Sequence, residues 1–221
     1  MTYRYLSHLL TDEIPTYRAK ARLGMRKVKA ISRGDSANVS SFSMEGHWGT
    51  HVESSNHFFD HGIKLAEHPP SCWFFRSPQA LRISLAPSEI LECGAWLKKI
   101  QHESDLLLLQ SEWCKIRDQE RYIFESPGIH PSVGLYLRDR FPGLRAIGID
   151  WMSLSSYNDR QLGRDAHRAF LDPSGKNNPL LIIEDMDLST DMTGLEEVAA
   201  FPLRLQNTDS APCTVIGRFY D

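Results

Sequence analysis

Nothing in this sequence pairs its cysteines. The four of them, Cys72, Cys93, Cys114 and Cys213, are widely separated and form no C-x-x-C. That argues against a structural zinc knuckle and reads as reduced, partly buried thiols in a cytoplasmic protein. Long apolar runs are missing too. "DLLLLQ" and "PLLIIED" are the longest, far short of the ~20 residues that span a bilayer. The start, "MTYRYLSHLLTDEIP", lacks a basic patch followed by an apolar core and a small-residue cleavage site, so no secretory signal is expected. Charge of one sign is also scarce. With 25 Lys+Arg against 28 Asp+Glu, net −3 and no basic run, no nucleic-acid partner is expected. There is no internal repeat and no low-complexity tract.

What is present is the composition of one globular unit. The 221 residues, 41% of them hydrophobic, are enough to bury a sizeable core and are read as a single domain over 1–221. "YLSHLL" (5–10) is expected to be a first strand, and 11–40 a polar, loop-rich excursion. "SCWFFRSPQALRISLAP" suggests two strand segments around Pro78, ended by Pro87. "PSEILECGAWLKKI" has apolar residues near helical spacing, with Ser88 as the expected N-cap. "DLLLLQS", "LRAIGIDWMSL" and "NPLLIIED" read as strands buried on both faces. "HPSVGLYLRDRFPG" and "DRQLGRDAHRAFLD" read as helices between them, the first started near Pro131–Ser132 and ended by Pro142–Gly143. "APCTVIGRFYD" alternates like a closing strand. Strands alternating with helices in the second half predict an α/β fold with a mixed, partly parallel sheet.

The chemistry-bearing stretch is "GHWGTHVESSNHFF", with His47, His51, Glu53 and His57. As a helix, it would put only His47 and His51 on one face, and Gly49 and Thr50 are poor helix formers. As a strand, all four share parity, yet His47 and His57 would lie roughly 33 Å apart. A metal ion needs its donors within about 2.0–2.3 Å. The segment must therefore turn, and Gly46 and Gly49 supply the freedom. A bent loop brings His47, His51 and Glu53 onto one ion. The residues alone also allow an ordinary histidine-rich polar segment, since the chain has nine histidines. His8, His61, His68, His102 and His130 lack comparable company and read as surface or structural. Trp48 and Phe58 read as core or as walls of an aromatic pocket.

The stretch resembles the signature of the cyclase family, which includes bacterial kynurenine formamidases and isatin hydrolases: H-x-G-T-H-x-D-x-P-x-H-F. Here it stands as His47-Trp48-Gly49-Thr50-His51-Val52-Glu53-Ser54-Ser55-Asn56-His57-Phe58. Two positions depart, Glu53 for aspartate and Ser55 for proline. The resemblance continues over nearly the whole chain. It takes in "YLSHLL", "DLLLLQSEW" (with Ser111-Glu112 where the family has Thr-Gly), "AIGIDWMSLSS", "AHRAFL", "PLLIIEDMDL" and "FPLRLQNTDSAPCTVIGRF".

The resemblance implies a swivelling β/β/α-type single domain, in a homodimer or homotetramer. It implies that His47, His51 and Glu53 hold a divalent metal, Zn or Mn, and that His57 is a catalytic base or acid. His167 and Glu184 would complete the site, as ligands of a second ion or as groups beside the first. Glu184 ends a buried strand pattern, where a carboxylate suits a cleft or, equally, a turn cap. Asp150 and Ser153 are expected to make structural hydrogen bonds near the site. The implied reaction is metal-dependent hydrolysis of a small amide, cyclic imide or lactam, lactone or ester, with an N-formyl aryl amide foremost. The rival is altered chemistry in the same family, a lactonase or a dehydrating or cyclising enzyme. A non-catalytic binding protein is disfavoured by the retained ligand-type residues.

Overall fold

The computed structural model describes residues 1–11, 15–16 and 23–220. Its strands in chain order are β1 (Thr2–Tyr5), β2 (Gly24–Lys29), β3 (Val39–Ser43), β4 (His51–Glu53), β5 (Phe74–Phe75), β6 (Pro78–Arg82), β7 (Ile90–Leu91), β8 (Leu106–Gln110), β9 (Gly128–Ile129), β10 (Ala146–Ile149), β11 (Leu181–Glu184), β12 (Leu195–Pro202) and β13 (Ser210–Phe219). The helices are the single turn α1 (Arg121–Phe124), α2 (Pro131–Arg140) and α3 (Arg160–Leu171). Among the described residues, nine strands make one sheet in the order β5-β12-β13-β4-β11-β10-β8-β6, with β1 also on β13. β6, β8, β10 and β11 run parallel. From β11 onward the pairings through β4, β13, β12 and β5 are antiparallel. The sheet is thus mixed and partly parallel, as the alternation of strands and helices predicts.

Why the central strands are unbroken apolar runs follows from what covers them. Leu107, Leu109, Ile147, Ile149 and Ile182 pack against Val133 and Leu137 of α2 and Phe170 and Leu171 of α3. Leu106, Leu108, Ala146, Leu181 and Ile183 face the other way, onto Leu6, Val52, Phe75, Val198 and Val215. Period-2 alternation sends successive residues to opposite faces, and both faces are dry, so every position is apolar. The two helices meet closely: a Cβ on Gly134 would stand 2.6 Å from the Phe170 ring. α2 begins with Pro131 at its first turn, and the His130 ring accepts the Ser132 N–H. α3 is capped by Asp159, whose side chain accepts the Leu162 N–H.

Three sequence expectations shift. The first strand lies over Thr2–Tyr5 instead of 5–10, because Leu6 turns inward after β1, its N–H donating to Val215 O. No α-helix forms over 88–100. Ile90–Leu91 pair in parallel with Gly128–Ile129, and only a 3-10 turn follows at Ala95–Lys99. Ser88 has φ 58°, outside the extended region an N-cap requires. Here tertiary pairing overrides local helical spacing. Third, positions 11–40 lie partly outside the described residues, and their described part contains β2 and, with 41–43, β3, which pair as an exposed two-stranded hairpin. At Ser111-Glu112, Glu112 adopts φ 70°, the left-handed region that glycine occupies without cost.

Candidate metal centre

The site is assembled on the middle of the sheet, on the helix-covered face. In β4, His51 and Glu53 share parity and point the same way, while Val52 enters the opposite core. Glu184, at the end of β11, stands directly opposite His51 in the ladder. Cross-strand neighbours of this kind lie close enough for side chains to meet. That register, and not chain proximity, brings Glu184 to the histidine stretch. His167 arrives from α3, two turns into the helix.

The two flanks of β4 bend as required. Gly49 sits at φ 62°, reversing the chain so that His47 folds back over His51. Thr50 fastens this turn: its hydroxyl donates to Asp185 O and accepts the His8 N–H. After β4, a 3-10 turn at Ser55–His57 carries His57 back to the cluster. Asp185 in turn is buried and held by a bidentate contact from Arg117 and by the Tyr122 hydroxyl. The strand end that carries Glu184 is therefore braced from behind.

Two histidines have their tautomers set by geometry. His51 Nδ1 is 2.9 Å from Gly49 O, and His167 Nδ1 is 2.7 Å from Gly163 O. A carbonyl only accepts, so Nδ1 carries the proton in each ring. Nε2 is then the atom offered to the site. His51 Nε2 lies 3.3 Å from Glu53 Oε1 and 3.5 Å from Glu184 Oε2. His167 Nε2 lies 3.4 Å from Glu53 Oε2 and 3.4 Å from Glu184 Oε1. Such Nδ1–H to carbonyl bonds are what orient metal-ligating histidines. Glu184 Oε1 also accepts the Leu154 N–H and the Ser153 hydroxyl, the structural role expected of Ser153. Asp150 accepts the N–H groups of Ser111 and Glu112, as expected of a strand-end brace.

The rim differs. His47 Nδ1 is 2.8 Å from Glu53 Oε1, and His57 Nε2 is 3.9 Å from the same oxygen. The opposite ring nitrogens of both converge on Asp209 Oδ2, at 2.9 Å for His47 Nε2 and 2.6 Å for His57 Nδ1. Asp209 is a residue the sequence reading missed. It lies in the polar "NTDS" turn just before β13, inside a stretch the resemblance covers but with no role attached to it there.

Electrostatics tie the cluster together. Burial pulls His51 down, but its hydrogen bonds to Glu184 and Glu53 outweigh this and push it up to about 10. Burial likewise lowers His167 and His47, and the surrounding carboxylates raise each to about 9. Burial raises Glu53, while the His167 and His57 charges and the bonds from His47 and His51 hold it well below the usual carboxylate range. In the metal-free protein, protons on the imidazoles balance two buried carboxylates. A divalent cation can take over that balance.

The donor set fits such an ion. His47, Glu53 and His57, and again His51, Glu53 and Glu184, bring one ligand atom each to within 4.8 Å of one another. Glu53 belongs to both groups. Its Oε2 is buried and has no hydrogen-bond partner, although His167 Nε2 stands nearby. An orphaned buried carboxylate oxygen is costly unless a cation satisfies it. The cluster opens on a cavity of about 290 Å³, walled by Trp48, Phe58 and Met152 and edged by Arg160 and Arg164. Trp48 is at once core and wall; the Phe58 ring stacks on His167 at 5.2 Å.

A mixed sheet carrying a buried His/Glu cluster of this composition defines an α/β protein with a candidate divalent-metal centre. The chain belongs to the Putative cyclase family, whose model matches residues 5–156. It is 24% identical to a kynurenine formamidase of Geobacillus thermodenitrificans (strain NG80-2) over 218 residues, 94% of this chain and 92% of that one. It is 20% identical to cyclase-like protein 3 of Arabidopsis thaliana, over 96% of this chain and 77% of the relative. Among solved structures it resembles isatin hydrolase A from Labrenzia aggregata bound to benzyl benzoate. The TM-score is 0.81 at 18% identity, over 100% of this chain and 94% of the other.

Proposed function

We propose that the chain is a single-domain, metal-dependent hydrolase of small amides, cyclic imides or lactams, or esters, with N-formyl aryl amides as the first substrate class to try. The observation that carries this reading is Glu53: one buried carboxylate serves two groups of nitrogen and oxygen donors, and its second oxygen, beside His167, makes no hydrogen bond. The kynurenine formamidase and isatin hydrolase relatives support the reaction class. The metal-binding residues are assigned as His47, His51, Glu53, His167 and Glu184, with one or two ions bound. A His/carboxylate set suits either Zn or Mn.

A bound divalent ion supplies Lewis acidity, lowering the pKa of water toward ~7 and polarising a carbonyl. The remaining work belongs to the chain. His57 Nε2 faces the cluster from the rim, takes a proton there and returns it to the leaving nitrogen or oxygen. Trp48 and Phe58 present flat apolar faces to an aromatic substituent. The small cavity admits one small molecule and excludes a folded polypeptide.

No helix among the described residues is long and apolar enough to cross a membrane. A cytoplasmic location is supported by four unpaired thiols. A homodimer or homotetramer is supported by exposed Tyr5, Met25 and Phe42, on β1 and an isolated hairpin that is marginal alone. Light scattering on a sizing column tests the assembly. The function is tested by elemental analysis of protein purified without chelator or nickel, then a screen of formanilides, cyclic imides, lactones and esters. Absence of stoichiometric metal after reconstitution with Zn²⁺ and Mn²⁺ would remove the metalloenzyme reading. A second reading, lactonase or cyclising chemistry, is favoured by Glu53, Ser55 and Glu112 at positions where the family carries other residues. Turnover confined to lactones, or to dehydration, would select it.

A further inference from the structure

We propose that Asp209 is a positioning residue that holds the rings of His47 and His57 together and sets the tautomer of His57. Its Oδ2 meets His47 Nε2 at 2.9 Å and His57 Nδ1 at 2.6 Å. A carboxylate only accepts, so both of those nitrogens carry hydrogen. His57 Nε2, 3.9 Å from Glu53 Oε1, then holds the lone pair when its ring is neutral. His47 Nδ1, 2.8 Å from the same oxygen, also carries hydrogen and offers a lone pair only where a cation takes that proton's place. In the opposite tautomer, His57 would present an N–H to the site and could not accept a proton there.

The clamp is itself held. The Asp209 carbonyl accepts both the Ser54 N–H and the Ser54 hydroxyl, at 3.0 and 3.1 Å. The next residue, Ser210, pairs with Glu53 in the β13–β4 ladder. Asp209 therefore moves with the strand that carries Glu53. The two rings lie 4.2 Å apart with planes inclined 43°, close enough for one oxygen to reach both. Asp209 is a member of neither donor group that shares Glu53, but it bonds to His47 and His57 of one of them, so it acts through the rings. Carboxylates behind ligating or proton-moving histidines set tautomer and basicity in this way.

The catalytic weight of this arrangement rests on the hydrolase reading; the tautomers do not. The test uses zinc-loaded, full-length protein labelled with ¹⁵N-histidine, with His57→Gln and His47→Gln to assign the rings. Long-range ¹H–¹⁵N spectra of the wild type are expected to show His57 protonated at Nδ1 and bare at Nε2. Asp209→Ala is expected to shift His57 toward the Nε2–H tautomer. Zinc stoichiometry stays unchanged, and kcat on a formanilide falls roughly 10–100-fold with little change in KM. Asp209→Asn, which keeps the shape and an acceptor oxygen but loses the charge, falls between, and it carries the test if the alanine variant does not fold. A wild-type His57 protonated at Nε2, or a His57 spectrum unaltered in both variants, would overturn the proposal. If no substrate is turned over by the wild type, the hydrolase reading falls, and the tautomer spectra alone still decide the role of Asp209.

Discussion

The centre has a floor and a rim, and they are built differently. On the floor, side-chain exposure is 2% for Glu53, 3% for Glu184, 4% for His51 and 5% for His167; on the rim it is 27% for His57, 32% for His47 and 37% for Asp209. Floor histidines take their Nδ1 partners from backbone carbonyls, which cannot change protonation. On the rim, His57 through Nδ1 and His47 through Nε2 both meet the Asp209 carboxylate at the solvent edge. A dry, rigid floor suits an ion that must not leave; an open rim suits protons that must. His47 straddles the two, bonded to Glu53 below and Asp209 beside it.

The sharpest way to break that contrast is to remove one histidine from each level. His51→Ala should lose most of the bound metal, because Nε2 disappears from between two buried carboxylates. His57→Ala should keep the metal and lose rate, typically ~10²–10⁴-fold for a group that moves protons. Elemental analysis beside kinetics reads both. Equal metal loss in the two variants would make His57 a ligand and dissolve the distinction between levels.

Glu53→Asp tests the floor more gently. The longer side chain lets one carboxylate stand 2.8 Å from His47 Nδ1, 3.3 Å from His51 Nε2 and 3.4 Å from His167 Nε2. Aspartate would withdraw it by about one C–C bond, roughly 1.5 Å. We expect metal affinity to fall roughly tenfold or more, about 1.4 kcal/mol per decade, although the family's own residue is restored. Isothermal titration with Zn²⁺ measures it. Equal or tighter binding, with higher turnover, would mark Glu53 as a drifted ligand and favour the altered-chemistry reading.

pH separates folding from metal binding in the same residues. His51 is raised to about 10 and His47 and His167 to about 9, against ~6.5 when unfolded. A raised folded value stabilises fully below the unfolded one and is lost as pH climbs through the folded one. Chelator-treated protein should therefore become less stable from about pH 6.5 toward 9–10. Zinc affinity should rise over the same window, because the ligands must shed those protons. Thermal melts with and without chelator check this; at this size each 1 kcal/mol moves Tm by about 2–4 °C. Melts of the metal-free protein that rise with pH would remove the carboxylate–imidazolium account of the floor.

How much of this the sequence carried depends on whether the cause is local. β8, β10 and β11 were legible because burial on both faces leaves continuous apolar runs. α2 was legible from Pro131–Ser132 at its start and Pro142–Gly143 at its end, and α3 from its helical pattern. The hairpin of β2 and β3 was not, because neither strand buries a face and so neither alternates. β4 is three residues long, and two of them are ligand-type. Only the need to bend a same-parity set onto one point betrayed it. His47, His51 and Glu53 were placed by that argument, and His57, Glu184 and His167 by resemblance. Asp209 was out of reach, since its role comes from a ladder pairing between residues more than 150 positions apart.

The smallest expected effect lies at the hinge between floor and rim. Ser55 follows β4 and opens the 3-10 turn that lifts His57 to the rim. The family's proline belongs there by backbone logic. Ser54 is extended, at φ −116° and ψ 172°, the region that the residue before a proline prefers. The first position of a helical turn also suits proline's fixed φ. The Ser55 N–H makes no hydrogen bond among the described residues, so Ser55→Pro forfeits no backbone bond. It does forfeit one side-chain bond, in which Ser55 Oγ accepts the Ile63 N–H at 3.2 Å; such a bond is worth about 0.5–1.5 kcal/mol. Proline would return about 0.4–1 kcal/mol by restricting the unfolded chain. The two nearly cancel, and we expect unfolding free energy to change by less than about 1 kcal/mol, with metal content and His57-dependent rate retained. Denaturant unfolding of the zinc-loaded variant reads the first and elemental analysis with kinetics the others. A loss of rate with metal retained would show that the Oγ bond, and not the φ of residue 55, sets the height of His57 above the floor.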